Sequence, residues 1–192
     1  MSPARGFDPR VDAAPPLEPV LELAARLERA GIVFALGGSG LLAACGLAHR
    51  VGDWDLTTDA PLERARAALE GLAFEPFGSS GVHADHKFVL PEFATELIVG
   101  FAMHGRDGVV RLPTIVTASW HGLPLGSPEV WAAAYALLGR TAKSEALLGW
   151  LRARGADPVA RARLLGQPLP QDLARALSAL PRRPAPLTDR SP

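Results

Sequence analysis

The sequence has a single cysteine, Cys45. One cysteine excludes an intramolecular disulfide framework, and its position in an apolar stretch indicates a small core residue. The chain also has no excess of charge, because twenty basic side chains balance twenty acidic ones. There is thus no overall basic field of the kind that marks many nucleic-acid-binding proteins, although a local basic patch is compatible with this balance.

Long apolar runs are missing as well. No apolar segment reaches the length of a membrane span, and the N-terminus does not show the basic-then-apolar pattern of a signal peptide. We therefore expect a cytoplasmic protein with no membrane partner. Hydrophobic residues nevertheless make up 48% of the 192 residues, enough for the core of one domain with, at most, a small appendage.

Hydrophobic periodicity predicts the order of the secondary structure. Apolar residues recur at helical spacing over residues 17–29, and Gly31 follows at the position where helices usually end. Residues 32–36 are apolar and β-rich, which predicts a buried strand. Further elements are predicted as helices over 41–47 and 61–72, and as strands over 53–57, 87–90, 95–101 and 109–112.

Composition divides the chain into four parts. Residues 1–16 are Pro-rich and predict a loose arm. Residues 17–125 predict a mixed α/β core, and residues 126–180 a helical C-terminal part that opens with Ser127-Pro128-Glu129. Residues 181–192 are rich in proline and arginine, which predicts a disordered tail.

The most informative motif is Asp53-Trp54-Asp55 in a predicted strand. Alternate side chains of a strand point to the same face, so both aspartates share a face that Trp54 does not. Two adjacent carboxylates repel each other, and a hard divalent cation such as Mg²⁺ or Mn²⁺ would relieve that repulsion. The alternative is a solvent-facing strand end with two hydrated acids.

A second motif, Gly37-Gly38-Ser39, lies between a predicted strand and a predicted helix. Glycines let backbone amides approach a phosphate, and a helix N-terminus favours an anion. The Ser39 hydroxyl either adds a hydrogen bond or caps the helix. An ordinary tight turn would have the same residues, and the motif is neither a dinucleotide fingerprint nor a P-loop.

The third feature is Glu96, in the strand-forming run Thr95-Glu96-Leu97-Ile98-Val99. A carboxylate in such a segment is costly unless it is exposed or bound. If this strand lies beside the strand of Asp53, Glu96 completes a cage of three carboxylates. Otherwise, it is an edge-exposed glutamate.

In this order and spacing, the motifs resemble the nucleotidyltransferase superfamily, and most closely bacterial members of the antitoxin/toxin and aminoglycoside nucleotidyltransferase type. The resemblance implies a mixed sheet flanked by helices, with a helical C-terminal part. It also implies that Asp53, Asp55 and Glu96 are catalytic and hold Mg²⁺ or Mn²⁺. The residues it assigns to nucleotide binding are Gly37, Gly38, Ser39, Arg50 and Lys143.

The implied reaction moves a nucleoside monophosphate from a nucleoside triphosphate such as ATP to a hydroxyl acceptor. A small molecule, an RNA end or a protein hydroxyl would all serve as acceptor. Val51 stands where relatives often carry Ser or Thr, and Tyr135 stands where they often carry lysine. Glu96 stands where they usually carry aspartate. These departures leave open an inactive fold that binds nucleotide or a partner.

Two further patterns allow other interpretations. Asp53-Trp54-Asp55-Leu56-Thr57 matches the nucleophile motif of haloacid-dehalogenase-type phosphatases, which requires an apolar strand directly before the first aspartate. His83-Ala84-Asp85-His86 is either a transition-metal site or a polar loop. A basic stretch near the C-terminus is either a solvated face or a contact for an acidic acceptor such as RNA, and it contains Arg152, Arg154, Arg161 and Arg163.

Overall fold

The computed structural model describes residues 11–183. Within these residues the α-helices are α1 (Leu17–Arg29), α2 (Gly38–Ala44), α3 (Leu62–Ala68), α4 (Pro128–Leu137), α5 (Thr141–Arg154), α6 (Pro158–Leu165) and α7 (Gln171–Ser178). The strands are β1 (Ala35–Leu36), β2 (Trp54–Thr58), β3 (Glu75–Phe77), β4 (His86–Leu90), β5 (Thr95–Val99), β6 (Ala102–Gly105), β7 (Gly108–Arg111), β8 (Val116–Trp120) and β9 (Leu123–Gly126). None of the helices among residues 11–183 has the length and apolar character to cross a membrane.

Seven strands form one mixed sheet in the order β3-β4-β5-β2-β1-β9-β8. Strand β2 pairs parallel to β5, and β1 pairs parallel to β9, while the other neighbours are antiparallel. Strands β6 and β7 form a separate hairpin. The mixed α/β class predicted from the sequence is therefore confirmed.

Helix α1 has the predicted boundaries, and its buried face carries Val20, Leu23 and Leu27. Gly31 follows with a φ of 64°, a left-handed conformation that suits a glycine just after a helix. The next amide, that of Ile32, donates to the carbonyl of Leu27. Because residue 32 completes the end of this helix, the strand predicted over 32–36 is shorter than expected and begins at Ala35.

Several predicted boundaries were wrong by a few residues. Helix α2 begins at Gly38, within the glycine turn, whereas 41–47 was predicted. Strand β2 begins at Trp54, so Asp53 lies just before it. Helix α3, predicted over 61–72, has Pro61 as its N-cap residue and ends at Ala68. Strand β5 stops at Val99 because Gly100, with a φ of 65°, turns the chain toward β6.

The helical C-terminal part begins as the sequence predicts. Ser127 caps α4 by accepting a hydrogen bond from the Val130 amide, and Pro128 occupies the first turn. The fully buried Glu129 accepts hydrogen bonds from the Ser127 hydroxyl and from the Asp157 amide, both at 2.6 Å. Arg183 lies 3.7 Å from the same carboxylate. Glu129 therefore joins the start of α4 to the start of α6 and to the last described residue.

Most of the predicted arm and tail, residues 1–10 and 184–192, lies outside the described residues. At the end of the arm, the Asp12 amide donates to the His49 carbonyl and the Val51 amide to the Ala13 carbonyl. Residues 181 and 183 likewise form backbone hydrogen bonds with Ala156. Cys45 is half-buried after α2, where burial raises the pKa of its thiol to about 11.

Candidate active site

Three carboxylates meet at one place on the sheet. Asp55 of β2 lies directly opposite Glu96 of β5 in the parallel pair, and Asp53 immediately precedes β2. One carboxylate oxygen from each residue lies within 4.8 Å of the other two. In β2, Trp54 and Leu56 are buried on the other face. The structure therefore brings together the three acids that the sequence singled out.

The acids affect one another's ionisation. Burial, reinforced by the charges of Asp53 and Glu96, raises the pKa of Asp55 to about 7. Burial, and then the charge of Glu96, also raises the pKa of Asp53. Both shifts mean that the ionised carboxylates are poorly solvated and repel each other. A cation shared among the three would favour their charged forms.

Three basic side chains face the acids. The ammonium of Lys87 in β4 donates a 3.0 Å hydrogen bond to Glu96 Oε2. Lys87, Lys143 and Arg140 lower the pKa of Asp53, opposing the effect of burial. The Lys143 ammonium also lies 5.3 Å from the centre of the Tyr135 ring. The resemblance assigned Lys143 to nucleotide binding, which stays a prediction, and the sequence analysis did not single out Lys87 or Arg140.

Lys87 and Glu96 lie in two strands that the sequence predicts, over 87–90 and 95–101, and the observed register brings them to one face. Val89 is the cross-strand partner of Glu96, and Lys87, two residues away in β4, therefore points to the same face as Glu96. Arg140 has no comparable local signal. It precedes α5 and is distant in sequence from Asp55, whose pKa its charge lowers.

The glycine turn lies against the acids. The Gly37 amide donates to the Asp55 carbonyl at 2.8 Å. Gly38 has a φ of 52°, and a Cβ atom there would lie 1.6 Å from Asp55 Oδ2. A Cβ at Gly37 would lie 2.0 Å from the ring of Trp131 in α4. Close packing therefore requires glycine at both positions, independently of any phosphate.

Ser39 holds the loop that carries Asp53. Its hydroxyl donates to the Asp53 carbonyl at 3.5 Å and accepts from the Gly52 amide at 3.3 Å. Ser39 is the second residue of α2, whose N-cap is Gly37. The capping role considered for Ser39 is therefore not the one found, and its role toward phosphate stays a prediction.

Arg50 does not lie among the cations that face the acids. It is exposed on the segment before β2, where residue 50 forms an isolated bridge with Ala13. The cations that lower the pKa of Asp55 are Lys87 and Arg140. The role of Arg50 in nucleotide binding, which the resemblance implied, therefore finds no support in this arrangement and stays a prediction.

The structure also bears on the phosphatase-like motif at Asp53 and on the His83–His86 segment. Residues 51–53 are not part of a strand, so Asp53 lacks the preceding apolar strand that the phosphatase interpretation requires. His83 Nδ1 lies 3.4 Å from Oδ1 of the buried Asp85, while His86 is exposed at the start of β4. Among residues 11–183, the group of three side chains placed to share a metal ion is the one formed by Asp53, Asp55 and Glu96.

Comparisons with known proteins agree with this fold. No family model matches the chain, and no curated protein matches its sequence. The solution structure of the antibiotic-resistance factor ANT(2'')-Ia, an aminoglycoside nucleotidyltransferase, superposes with a TM-score of 0.50 at 12% identity, over 84% of this chain and 90% of that one. A candidate nucleotidyltransferase from Thermotoga maritima gives a TM-score of 0.49 at 23% identity, over 72% and 93%. The likeness to ANT(2'')-Ia shows that the chain has a nucleotidyltransferase-type fold.

Proposed function

We propose that this protein, built on a nucleotidyltransferase-type fold, is a metal-dependent nucleotidyltransferase. It would move a nucleoside monophosphate from a nucleoside triphosphate to a hydroxyl acceptor. The observation that supports this proposal is the convergence of Asp53, Asp55 and Glu96 within 4.8 Å of one another. Three carboxylates at one place, beside a glycine turn and facing cations, form an arrangement suited to a metal and a polyanion.

The donor set fits Mg²⁺ or Mn²⁺. All three ligands are carboxylate oxygens, which hard divalent cations prefer. The raised pKa values of Asp53 and Asp55 support this fit, because burial and mutual repulsion oppose their ionised forms. When bound, the metal would neutralise charge on the phosphates and favour loss of pyrophosphate.

The chain's own residues would bind and orient the triphosphate. Gly38 and Ser39 lie in the first turn of α2, where backbone amides lack intrahelical acceptors. Lys143 lies on α5, lowers the pKa of Asp53 through its charge, and would offset phosphate charge. Glu96 would accept the proton of the attacking hydroxyl or serve as a further metal ligand.

The acceptor is a small molecule, an RNA end or a protein hydroxyl. Antibiotic resistance is a property of ANT(2'')-Ia, and 12% identity does not extend its acceptor to this chain. A different function, binding of nucleotide without transfer, is favoured by one observation. In α4, the buried Tyr135 stands where the relatives often carry a lysine. The ammonium of Lys143 nevertheless lies over the Tyr135 ring.

The test is transfer of a labelled nucleoside monophosphate by wild type and Asp55→Asn, with each triphosphate and an acceptor panel that includes RNA. We expect Mg²⁺-dependent transfer by wild type, and a loss of at least about a hundredfold in the variant because its metal ligand loses charge. Asp59→Asn is the matched control, since Asp59 follows β2, is exposed, and accepts from the Thr114 amide. Transfer by Asp55→Asn at the wild-type rate would overturn the proposal. Binding of triphosphate without transfer by wild type would favour the inactive alternative.

A further inference from the structure

The ion pair between Lys87 and Glu96 occupies one of the three carboxylates. Lys87 Nζ lies 3.0 Å from Glu96 Oε2, and the two side chains are 23% and 27% exposed. Lys87 is held on this face of the sheet by the register of β4 against β5. Its ammonium also lies 5.6 Å from the centre of the Phe77 ring in β3. Glu96 therefore already has a cationic partner when no metal is bound.

The residue that pairs with Glu96 is a lysine and not an arginine. Lysine occurs at only two positions of the chain, Lys87 and Lys143, and all other basic residues are arginine. Lys87 contacts Glu96 directly, and the ammonium of Lys143 lies 5.3 Å from the centre of the Tyr135 ring. An arginine would bind a carboxylate through two parallel hydrogen bonds, whereas a lysine ammonium is a single, mobile point charge. A lysine therefore releases its carboxylate more easily.

We propose that Lys87 is a releasable internal counter-ion of the metal site, which holds Glu96 in the absence of metal and yields it when a divalent cation binds. This inference rests on the proposed function, because it assumes that Glu96 is a metal ligand. Lys87 is a positioning residue in this scheme. It competes with the metal for Glu96, so the metal affinity of the site is lower than three free carboxylates would give.

The test is titration of the protein with Mn²⁺ alone, with the free Mn²⁺ measured by electron paramagnetic resonance. We expect Lys87→Met to bind Mn²⁺ about tenfold more tightly than wild type, because the charge-assisted hydrogen bond to Glu96 is gone. We expect Lys87→Arg to bind Mn²⁺ more weakly than wild type, because a bidentate pair is harder to open. A merely structural ion pair would not produce this order of affinities.

The outcomes separate the two proposals. If wild type binds no Mn²⁺ that Asp55→Asn abolishes, the metal site and the proposed function both fail. If wild type has that site but Lys87→Met binds Mn²⁺ equally or more weakly, only the counter-ion inference is overturned. Thermal unfolding checks that each variant folds, and Lys87→Gln replaces Lys87→Met if the methionine variant does not.

Discussion

At the scale of single residues, the environment of Asp55 makes stability depend on pH. Burial raises the pKa of this carboxyl to about 7 in the folded protein, from an ordinary value of 3.8. Between those two values, the folded state holds a proton that the unfolded chain releases. The metal-free protein therefore loses stability as the pH rises from about 4 to about 7, and the loss is complete above that range.

Asp55→Asn should remove this pH dependence, because the amide does not titrate. Without metal near pH 8, the variant should be more stable than wild type by up to about 4 kcal/mol, and the difference should vanish near pH 4. Thermal unfolding in the presence of chelator, followed over that pH range, measures both effects. Added Mg²⁺ should stabilise wild type and not the variant. A stability difference between wild type and variant that is the same at every pH would show that burial does not raise the pKa of Asp55.

At the scale of elements, the contact between α2 and β2 depends on a missing side chain. The backbone of Gly38 lies so close to Asp55 that a Cβ atom would overlap its carboxylate. The same turn is fixed by the Gly37 amide, which donates to the Asp55 carbonyl, and by the Ser39 hydroxyl, which bonds the segment before β2. The helix and the strand therefore position each other, and with them the acids.

Gly38→Ala should destabilise the protein by about 2–4 kcal/mol and displace Asp55, since it combines a positive φ with a collision. Gly100→Ala is the matched control. Gly100 also has a positive φ, 65°, but a Cβ there would meet nothing within 4 Å. It should cost about 1 kcal/mol and leave Mn²⁺ binding unchanged. Chemical denaturation measures the free energy of unfolding of the two variants, and titration measures their Mn²⁺ affinity. Equal losses of stability and of affinity would indicate that the positive φ, and not the collision with Asp55, causes the effect of Gly38→Ala.

At the scale of the whole molecule, the site is completed by the C-terminal helices. Trp131 of α4 packs against Gly37, and its ring lies 5.3 Å from that of Phe101. Arg140 and Lys143, at the start of α5, direct positive charge toward the acids of the sheet. The buried Glu129 holds this helical part in place through Ser127 and Asp157. Acids from the sheet therefore face cations from the helices.

Lys143→Met should weaken binding of a Mg²⁺–triphosphate analogue by about tenfold, the loss of roughly one charge-assisted contact. Arg152→Met removes a cation from the same helix, but one that is 56% exposed and paired with Glu145. That control should change the affinity by less than about twofold, because exposed ion pairs contribute little. Calorimetry at two salt concentrations measures both variants. Equal effects would mean that Lys143 acts only through the net charge of the protein.

Local patterns were predictable because they depend on residues a few positions apart. The helical spacing of residues 17–29, the alternation that places Asp53 and Asp55 together, and the cap at Ser127 all arise from the chain's immediate neighbours. Strands β8 and β9 were not predicted, because the prediction depended on local apolar patterns that these two strands lack. Pro124 interrupts β9 and β8 is largely exposed, so neither has the apolar signature of a buried strand.

The sequence by itself therefore determined which acids, which glycine turn and which class of fold to expect. Only the tertiary structure decided that Glu96 lies opposite Asp55, because the parallel pairing of β2 with β5 joins strands that are distant in the chain. It likewise decided that Lys87 neutralises Glu96, that Arg140 faces Asp53, and that Arg50 lies elsewhere. Ion pairs and carboxylate repulsion act over a few ångströms in space, and hydrophobic periodicity specifies a side chain's face but not its neighbour across that distance.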